Sequence, residues 1–374
     1  MAAYNEVFKR IEKKYPVLPA QRAAVEAALA GRLAPDGYGR SAITSVYWDT
    51  PELSLISRSL EKPCYKEKLR VRAYGPAAGD ALVAACLRGK PAEGDGAQLV
   101  FFELKKKFKR VVYKRRIGLS LSALFALLGG TPYEEAVAAH PSASPEANQL
   151  AASPLNRQIA RELMAAMGRY RDMTPSFAIR CERTAWAPCK VGKGGGANGQ
   201  AAGLPAEANA DAPYAQLRVT FDDGLRFLDL RDGACCATAN AGAAPSWRPV
   251  VDAATAIMEL KNAGPLPREF AALLSKHDIF PTSFSKYGTA YQLTAHEKGL
   301  VPGLDCVFGR AAREGGVGLP SRAPQPGDSA PRAATAPAAA PAHGAPVARP
   351  HAAASARRFA PFRFPFKKKG ARCA

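Results

Sequence analysis

The chain has 374 residues, with 52 lysines and arginines against 32 aspartates and glutamates, so its formal net charge is +20. A hydrophobic fraction of 47% can build a packed core and excludes a wholly disordered chain. The longest apolar run, around residues 119–128, is about half of what a membrane-spanning helix needs. The first residues, MAAYNEVFKRIEKKYP, have no apolar stretch before the charges, which predicts a cytoplasmic protein without a signal peptide.

The cysteines do not indicate a metal site or a disulfide framework. None of the eight cysteines forms a Cys-x-x-Cys pair or has a histidine at the spacing of a zinc ligand. We therefore expect reduced thiols, which are usual in the cytoplasm.

Composition divides the chain into a body and a basic tail. From Ala311 onward alanine, proline and glycine dominate, and eleven lysines and arginines face two acids, which predicts a disordered cationic segment. We expect a folded domain over residues 1–300 and a tail over residues 301–374. Within the body, the stretch that ends near Pro154 and the stretch Lys190–Pro213 are typical of surface loops.

Taken in chain order, the body reads as strands with scattered helices. The first predicted strand is VFKRIEKKY (7–15), followed by a predicted helix over residues 17–30. Three strongly basic strands follow: CYKEKLRVRAY (64–74), LVFFELKKKF (99–108) and VVYKRRI (111–117). A helix over 154–169 precedes SFAIRCERTAW (176–186), LRVTFDD (217–223) and IMELKN (257–262), and a last helix begins at Pro265. This order favours an α+β fold built on an antiparallel sheet or barrel over a doubly wound parallel sheet.

Lysine and arginine recur on one face of these strands. In residues 64–74, Lys68, Arg70 and Arg72 alternate with apolar residues. A solvated outer sheet face would explain any one strand. Neighbouring strands lie about 4.8 Å apart, and like charges at about 4 Å repel by on the order of 4 kcal/mol at an effective dielectric of 20. The repeated pattern therefore favours a face that binds a polyanion.

A closed antiparallel barrel would turn this face inward and make a basic tunnel, with helices packed on its outer apolar faces. Such a tunnel suits an oligophosphate with a divalent metal, because arginine and lysine bind phosphate and glutamate oxygens bind Mg²⁺ or Mn²⁺. We predict that the tunnel cations converge on one interior volume: Lys14, Arg70, Arg72, Lys105, Arg180, Arg218 and Lys261. Five apolar residues should point away from it: Leu69, Val71, Leu104, Val219 and Leu260.

Four acidic residues have local interpretations. Asp222 and Asp223 before Gly224 predict a hairpin turn between two strands. Asp49 before Thr-Pro is typical of a turn. Glu182 either pairs with Arg180 or binds a metal.

The strand motifs, taken together, resemble the polyphosphate polymerase domain of the vacuolar transporter chaperone (VTC) family, a branch of the triphosphate tunnel metalloenzymes. The matching stretches follow the family's order from Phe8 to Tyr291: FKRIEKKY, SVYWDTP, YKEKLRVRAY, FFELKKK, VYKRR, PSFAIRCERTAW, LRVTFDDGLRF, IMELK and SFSKYGTAY. The resemblance implies a tunnel of antiparallel strands and metal-dependent transfer of the ATP γ-phosphate to a growing polyphosphate chain.

The resemblance also implies roles for single residues. The residues expected at the centre of catalysis are Arg70, Arg72, Lys105 and Lys286. Those expected to bind phosphate are Arg10, Lys14, Lys68, Lys114, Arg116, Arg180, Arg218 and Lys261. Glu259 matches the metal-binding carboxylate, and Glu12 and Glu103 are expected as further carboxylates for Mn²⁺ or Mg²⁺.

The expected ligands are ATP and inorganic polyphosphate. Two alternatives stay open: a tunnel triphosphatase or polyphosphatase, in which water is the acceptor, and a non-catalytic binder of polyphosphate or another polyanion. A specific nucleic-acid partner is not expected, because the aromatic residues lie mostly on the faces opposite the cations. The end of the tail interleaves four phenylalanines with cations, which suits contact with an anionic membrane, binding of product or simple solubility.

Overall fold

The computed structural model of the protein describes residues 7–8, 11–109, 111–188, 214–232 and 245–299. Within these ranges, ten strands form one sheet and nine helices pack against it. The strands are β1 (Val7–Phe8), β2 (Ile11–Val17), β3 (Leu33–Asp49), β4 (Tyr65–Tyr74), β5 (Leu99–Phe108), β6 (Val111–Ser120), β7 (Thr174–Pro188), β8 (Arg218–Asp229), β9 (Arg248–Pro249) and β10 (Ala256–Asn262). The helices are α1 (Pro19–Leu29), α2 (Ser54–Leu60), α3 (Pro76–Arg88), α4 (Leu121–Leu128), α5 (Tyr133–Ala139), α6 (Pro145–Ala151), α7 (Pro154–Gly168), α8 (Arg268–Lys276) and α9 (Lys286–Glu297).

The sheet is antiparallel, as the sequence predicts, but it is not a closed barrel. Its strand order is β1-β6-β5-β4-β3-β7-β8-β10-β2, with β9 paired to β8. The hydrogen-bonded ladder ends at β1 and at β2 in the described residues, so the prediction of full closure was wrong. The two ends nevertheless lie close in the chain, because β1 pairs with β6 and β2, two residues later, pairs with β10. The Lys105 Nζ of β5 lies 3.6 Å from the Glu12 Oε2 of β2, which brings the two walls together across the opening.

Apolar residues on the outer face of the sheet form two cores under the helices. Leu69, Val71 and Leu104 are fully buried in a core that includes residues of α3, α4 and α7. Val219 and Leu260 are buried in a second core with residues of α1 and α8. The five residues predicted to point away from the cations therefore do so, because burial of the alternating apolar side chains fixes the face of each strand.

The opposite face, which we call the inner face, is only partly basic. One part of it is apolar and carries Tyr47, Ile179 and Phe227, and these pack with residues of α2 and α9 in a third core. The rings of Tyr47 and Tyr287 stack there, with their centroids 4.4 Å apart. Helix α9 therefore fills part of the concavity, and the charged part of the inner face lies beside it.

The predicted helices are present. The structure has α1 and α7 within the predicted ranges and α8 shortly after Pro265. The stretch predicted as a loop before Pro154 contains α6, whose amino terminus is capped by the Ser144 hydroxyl, which accepts a hydrogen bond from the Ala147 amide. The loop Lys190–Pro213 and the tail from 301 lie outside the described residues. No helix in the described ranges is long and apolar enough to cross a membrane.

Candidate functional site: a cationic inner face with two carboxylate clusters

The register of the strands brings the basic residues of β4, β5 and β6 onto the inner face. Lys68 of β4 lies opposite Lys105, Arg70 opposite Glu103 and Arg72 opposite Phe101. On β6, Lys114 and Arg116 lie opposite Lys105 and Glu103. Because directly paired residues of an antiparallel ladder share a face, these side chains form one continuous cationic surface.

Glu103 is the centre of the first carboxylate cluster. Its side chain is 1% exposed, and Arg70 Nε donates a hydrogen bond to Oε2 at 2.6 Å. Lys114 Nζ lies 2.9 Å from Oε1, and Arg116 Nε lies 3.4 Å from the same oxygen. Burial alone would raise the pKa of Glu103, but Arg70, Arg72 and Lys114 together hold it well below its ordinary value. Glu103 is therefore an ionised carboxylate whose two oxygens are both occupied by cations of the wall.

Glu12 and Glu259 form the second cluster, on β2 and β10. Lys14 lies opposite Glu259 and Glu12 opposite Lys261, so the two carboxylates are diagonal neighbours. Glu259 is bound to Lys261, and Glu12 Oε1 lies 3.6 Å from Lys14 Nζ. Burial and the other carboxylate both raise the pKa of Glu12, but lysines including Lys105 outweigh them and lower it. The pKa of Glu259 falls to about 2, because Lys261 and Lys14 outweigh the effect of burial. Both groups are ionised at neutral pH, and within the described residues their ion-pair partners are lysines.

The amino terminus of α9 meets the inner face between the two clusters. Lys286 Nζ lies 2.5 Å from Asp222 Oδ2, and Arg183 Nε donates to Asp222 Oδ1 at 2.6 Å. Lys68 Nζ donates to the Ser285 hydroxyl at 3.0 Å, and Lys14 Nζ donates to the Phe284 carbonyl at 3.2 Å. The helix thus ties β2, β4, β7 and β8 together at the border of the charged region.

Lys68 and Tyr47 show how crowded the cations are. Burial lowers the pKa of Lys68 to about 8, and the neighbouring Lys14 and Lys105 act in the same direction. Burial would raise the pKa of Tyr47, but Arg70 and Lys68 lower it to about 8. The Tyr47 shift, which is opposite to the effect of burial, indicates a positive potential on this part of the inner face that the local carboxylates do not cancel.

The structure brings most of the predicted site residues to this face. Those that share it on the strands are Glu12, Lys14, Lys68, Arg70, Arg72, Glu103, Lys105, Lys114, Arg116, Arg218, Glu259 and Lys261. Lys286 reaches the same region from α9, through its contact with Asp222. Arg218 is at the end of β8, where it pairs with Asp36 at 3.1 Å. Arg10 lies outside the described residues.

Arg180 does not lie on the inner face, so its predicted placement was wrong. It is opposite Thr44 on β3, binds Asp80 of α3, and lies over the Trp247 ring at 4.5 Å. Arg183, three residues later, is the β7 arginine that faces inward, through its bidentate contact with Asp222. Sequence reasoning missed it because both faces of β7 carry an arginine, and the buried Cys181 on the same face as Arg183 looked like core.

The Asp222–Asp223–Gly224 segment is not a hairpin. Strand β8 runs without a break from Arg218 to Asp229, and the pairing of β7 with β8 shifts register between Arg180 and Glu182. Gly224 has φ of +55°, a conformation that glycine adopts without strain, so the turn signal belongs to a β-bulge. The interpretation of Asp49 was right: it is buried and accepts hydrogen bonds from the amides of Thr50, Leu55 and Ile56.

The donor set can be tested against the implied Mg²⁺ or Mn²⁺. The described residues contain no group of three or more His, Cys, Asp or Glu side chains that could hold a metal by themselves. Mg²⁺, however, is commonly held by one or two carboxylates together with substrate phosphates and water. Glu12 and Glu259 fit that requirement, since both are ionised carboxylates whose partners in the described part of the chain are lysines. Glu103 fits it less well, because three cations already occupy its oxygens.

The comparison with known families agrees with the resemblance read from the motifs. A model of the VTC domain matches residues 3–189 and 211–295, well over half of the chain. The chain belongs to the VTC domain family. No curated protein sequence matches it significantly.

Solved structures that resemble this VTC domain do so at low identity. A proposed adenylate cyclase from Vibrio parahaemolyticus is 10% identical, with 75% of this chain and 97% of that chain covered and a TM-score of 0.32. A second proposed adenylate cyclase, from Bacillus halodurans, is 11% identical, with 75% of this chain and 95% of that chain covered and a TM-score of 0.32. A proposed adenylyl cyclase from Hippeastrum with a dominant triphosphatase activity is 14% identical, with 79% and 99% covered and a TM-score of 0.30.

Proposed function

We propose that this VTC domain is a metal-dependent polyphosphate polymerase, which transfers the γ-phosphate of ATP to a growing inorganic polyphosphate chain along the cationic inner face. The observation that carries the proposal is the combination, on one concave surface, of an excess of cations with a pair of ionised carboxylates. A surface that only bound a polyanion would gain nothing from Glu12 and Glu259, because they repel phosphate.

The cations of the inner face supply phosphate contacts. Arg70 and Arg72 offer planar guanidinium groups that bind phosphate oxygens bidentately, while Lys68 and Lys105 act as point charges. Lys68 is half-buried and its pKa is lowered to about 8 by burial and neighbouring lysines, so an entering phosphate chain relieves the repulsion that lowers it. The affinity for phosphate follows from this pre-formed excess of positive charge.

Glu12 and Glu259 would hold Mg²⁺ or Mn²⁺ together with the phosphates. Bound there, the metal would neutralise negative charge on the reacting phosphoryl group. Lys14, Lys105 and Lys261, which now pair with these carboxylates, are in position to exchange a carboxylate oxygen for a phosphate oxygen. Phosphoryl transfer needs positioning and charge neutralisation more than covalent help, and the terminal oxygen of polyphosphate is already anionic. No proton acceptor is therefore required of the protein.

The proposal is tested by incubating the purified protein with ATP and Mn²⁺ and separating the products on a gel stained for polyphosphate. We expect a polymer ladder that grows with time and disappears when the metal is chelated. Release of orthophosphate without polymer would replace the polymerase with a triphosphatase. Tight binding of tripolyphosphate without turnover would leave a polyanion-binding protein.

A further inference from the structure

Two aromatic rings lie on the inner face at one end of β4, β5 and β6. Phe101 is opposite Arg72 on one side and Gly118 on the other, so its side chain shares the cationic face. Tyr74, two residues beyond Arg72 on the same strand, packs edge-on against Phe101, with ring centroids 5.5 Å apart and an interplanar angle of 80°. This end of the basic surface thus carries aromatic residues, an exception to the expectation that they lie mostly on the opposite faces.

Arginine side chains frame both rings. The Arg116 guanidinium lies 3.7 Å from the Phe101 centroid and 5.5 Å from the Tyr74 centroid, and Arg116 Nη2 donates a hydrogen bond to the Tyr74 hydroxyl at 3.2 Å. The Arg72 guanidinium lies 6.0 Å from the Tyr74 ring. Gly118 leaves room for the Phe101 ring, since a Cβ there would be 3.2 Å from it. The cluster is therefore a compact aromatic and arginine platform that continues the phosphate-binding surface.

The Tyr74 ring is available to a ligand, unlike the Tyr47 and Tyr287 rings. Tyr47 and Tyr287 are buried against each other in the core beside α9. Tyr74 is 38% exposed although it stands beside Phe101, Arg72 and Arg116. The Tyr74 hydroxyl holds Arg116 in place through its hydrogen bond. That contact gives no reason for the exposure of the ring.

We propose that Tyr74 is the stacking platform for the base of the nucleoside triphosphate, with Arg116 and Arg72 beside it. This inference rests on the proposed function, because it assigns the orientation of the nucleotide substrate. Strand residues rise by about 3.4 Å each, so Tyr74 lies roughly 7 Å from Arg72 and 14 Å from Arg70 along β4. A base at Tyr74 then directs the triphosphate along Arg72 and Arg70 toward Lys68.

The opposite end of the same strands has a different chemistry. Lys66 lies opposite Lys107 there, and Lys68 lies opposite Lys105. Burial lowers the pKa of Lys66, and Lys107 and Lys62 lower it further. A lysine-rich end suits a phosphate chain without a base, whereas an end with aromatic rings suits a nucleotide. The two ends of the inner face therefore differ in chemistry, and the nucleotide lies at the Tyr74 end.

The test compares ATP with inorganic tripolyphosphate, which has the phosphates but no base, as ligands of Tyr74→Ala in calorimetric titrations. Loss of one base-stacking contact should weaken ATP binding by about five- to a hundredfold. Tripolyphosphate affinity should stay within about twofold, which also shows that the variant is folded. Tyr74→Phe keeps the ring and should bind ATP nearly as well as the wild type. Tyr113→Ala is the matched control, because Tyr113 is equally exposed at 38% but lies opposite Lys106 on the outer face.

Two results would overturn the inference. An equal loss of affinity for ATP and tripolyphosphate would make Tyr74 a support for Arg116 rather than a base platform. Unchanged affinity for both ligands would place the base elsewhere. The proposed function is tested separately, with the wild-type protein. If the wild type binds ATP but forms no polymer, the polymerase is rejected and the base platform is retained. If it binds neither ligand, both proposals are rejected.

Discussion

The two carboxylate clusters of the inner face differ in how their charge is balanced. Glu103 is almost fully buried and has Arg70, Lys114 and Arg116 around its two oxygens. Glu12 and Glu259 lie at the other wall, pair with lysines among the residues that the structure describes, and repel each other. A carboxylate saturated by cations orders those cations, whereas a pair of carboxylates that repel each other gains from a divalent metal. We therefore expect the same residue type to serve two roles, depending on its neighbours.

The largest expected effect is on stability, from Glu103→Gln. Removing one partner of a buried ion-pair network leaves uncompensated charges, so the free energy of unfolding should fall by about 3–5 kcal/mol in urea titrations. Glu52→Gln, at an exposed position, is the control and should change it by less than about 0.5 kcal/mol. Because the pKa of Glu103 is lowered in the folded protein, its stabilisation is present at neutral pH and is lost as the pH falls below the ordinary carboxyl range. A variant as stable as the wild type would remove Glu103 from its structural role.

The next effect is on turnover, from Glu259→Gln. If Glu259 holds the metal, turnover of ATP should fall by at least about a hundredfold, since a metal supplies several kcal/mol to the transition state and each 1.36 kcal/mol is tenfold in rate. Tripolyphosphate binding without metal should persist or tighten, because a repelling charge has left the cationic face. Near-normal turnover would show that Glu259 only neutralises Lys261, and would shift the metal site toward Glu12.

A third prediction tests the assignment of faces on β7. Arg183→Ala removes an inner-face cation and should weaken tripolyphosphate binding by about tenfold or more, since hydrogen bonds to charged groups contribute about 1.5–3 kcal/mol. Arg180→Ala removes an arginine of the same strand that is bound to Asp80 on the outer face, and should change the affinity by less than about twofold. The opposite ranking of the two variants in calorimetry would mean that the inner face of β7 is the one with Arg180.

The smallest effect concerns pH and Lys68. Since its pKa is about 8 in the free protein, phosphate binding should take up a proton above that pH. The tripolyphosphate affinity should then fall by up to about tenfold for each pH unit above 8. Lys68→Met should bind more weakly at pH 7 and should show a flatter decline between pH 7 and 9. An unchanged slope in this variant would assign the pH dependence to another group.

Much of the fold could be predicted from the sequence, because the alternation of apolar and charged residues along a strand determines which face is buried. This worked on β4, β5 and β10, where the outer face is mostly apolar. It failed on β7, where Arg180 is accommodated on the outer face by Asp80 and Trp247. It also failed on β8, because a glycine after two aspartates signals a turn whether the chain reverses or bulges. Local patterns do not distinguish these cases, since the difference lies in the partner strand.

The site was predictable in its residue types but not in its organisation. The motif series indicated most of the inner-face cations and the three glutamates. It did not reveal that Glu103 is saturated by cations, that Asp222 joins Arg183 to Lys286, or that α9 fills the apolar part of the concavity. These features depend on contacts between residues that are far apart in the chain, such as Lys68 with Ser285. Single-strand patterns contain no information about them.

The most direct test of the account is Mn²⁺ binding to the protein saturated with tripolyphosphate. Titrations of the wild type, Glu259→Gln and Glu103→Gln compare the two clusters under the same conditions, below the temperature at which any variant unfolds. We expect Glu259→Gln to weaken Mn²⁺ binding by at least about tenfold and Glu103→Gln to leave it within about threefold. Loss of Mn²⁺ binding in folded Glu103→Gln, with normal binding in Glu259→Gln, would contradict the account.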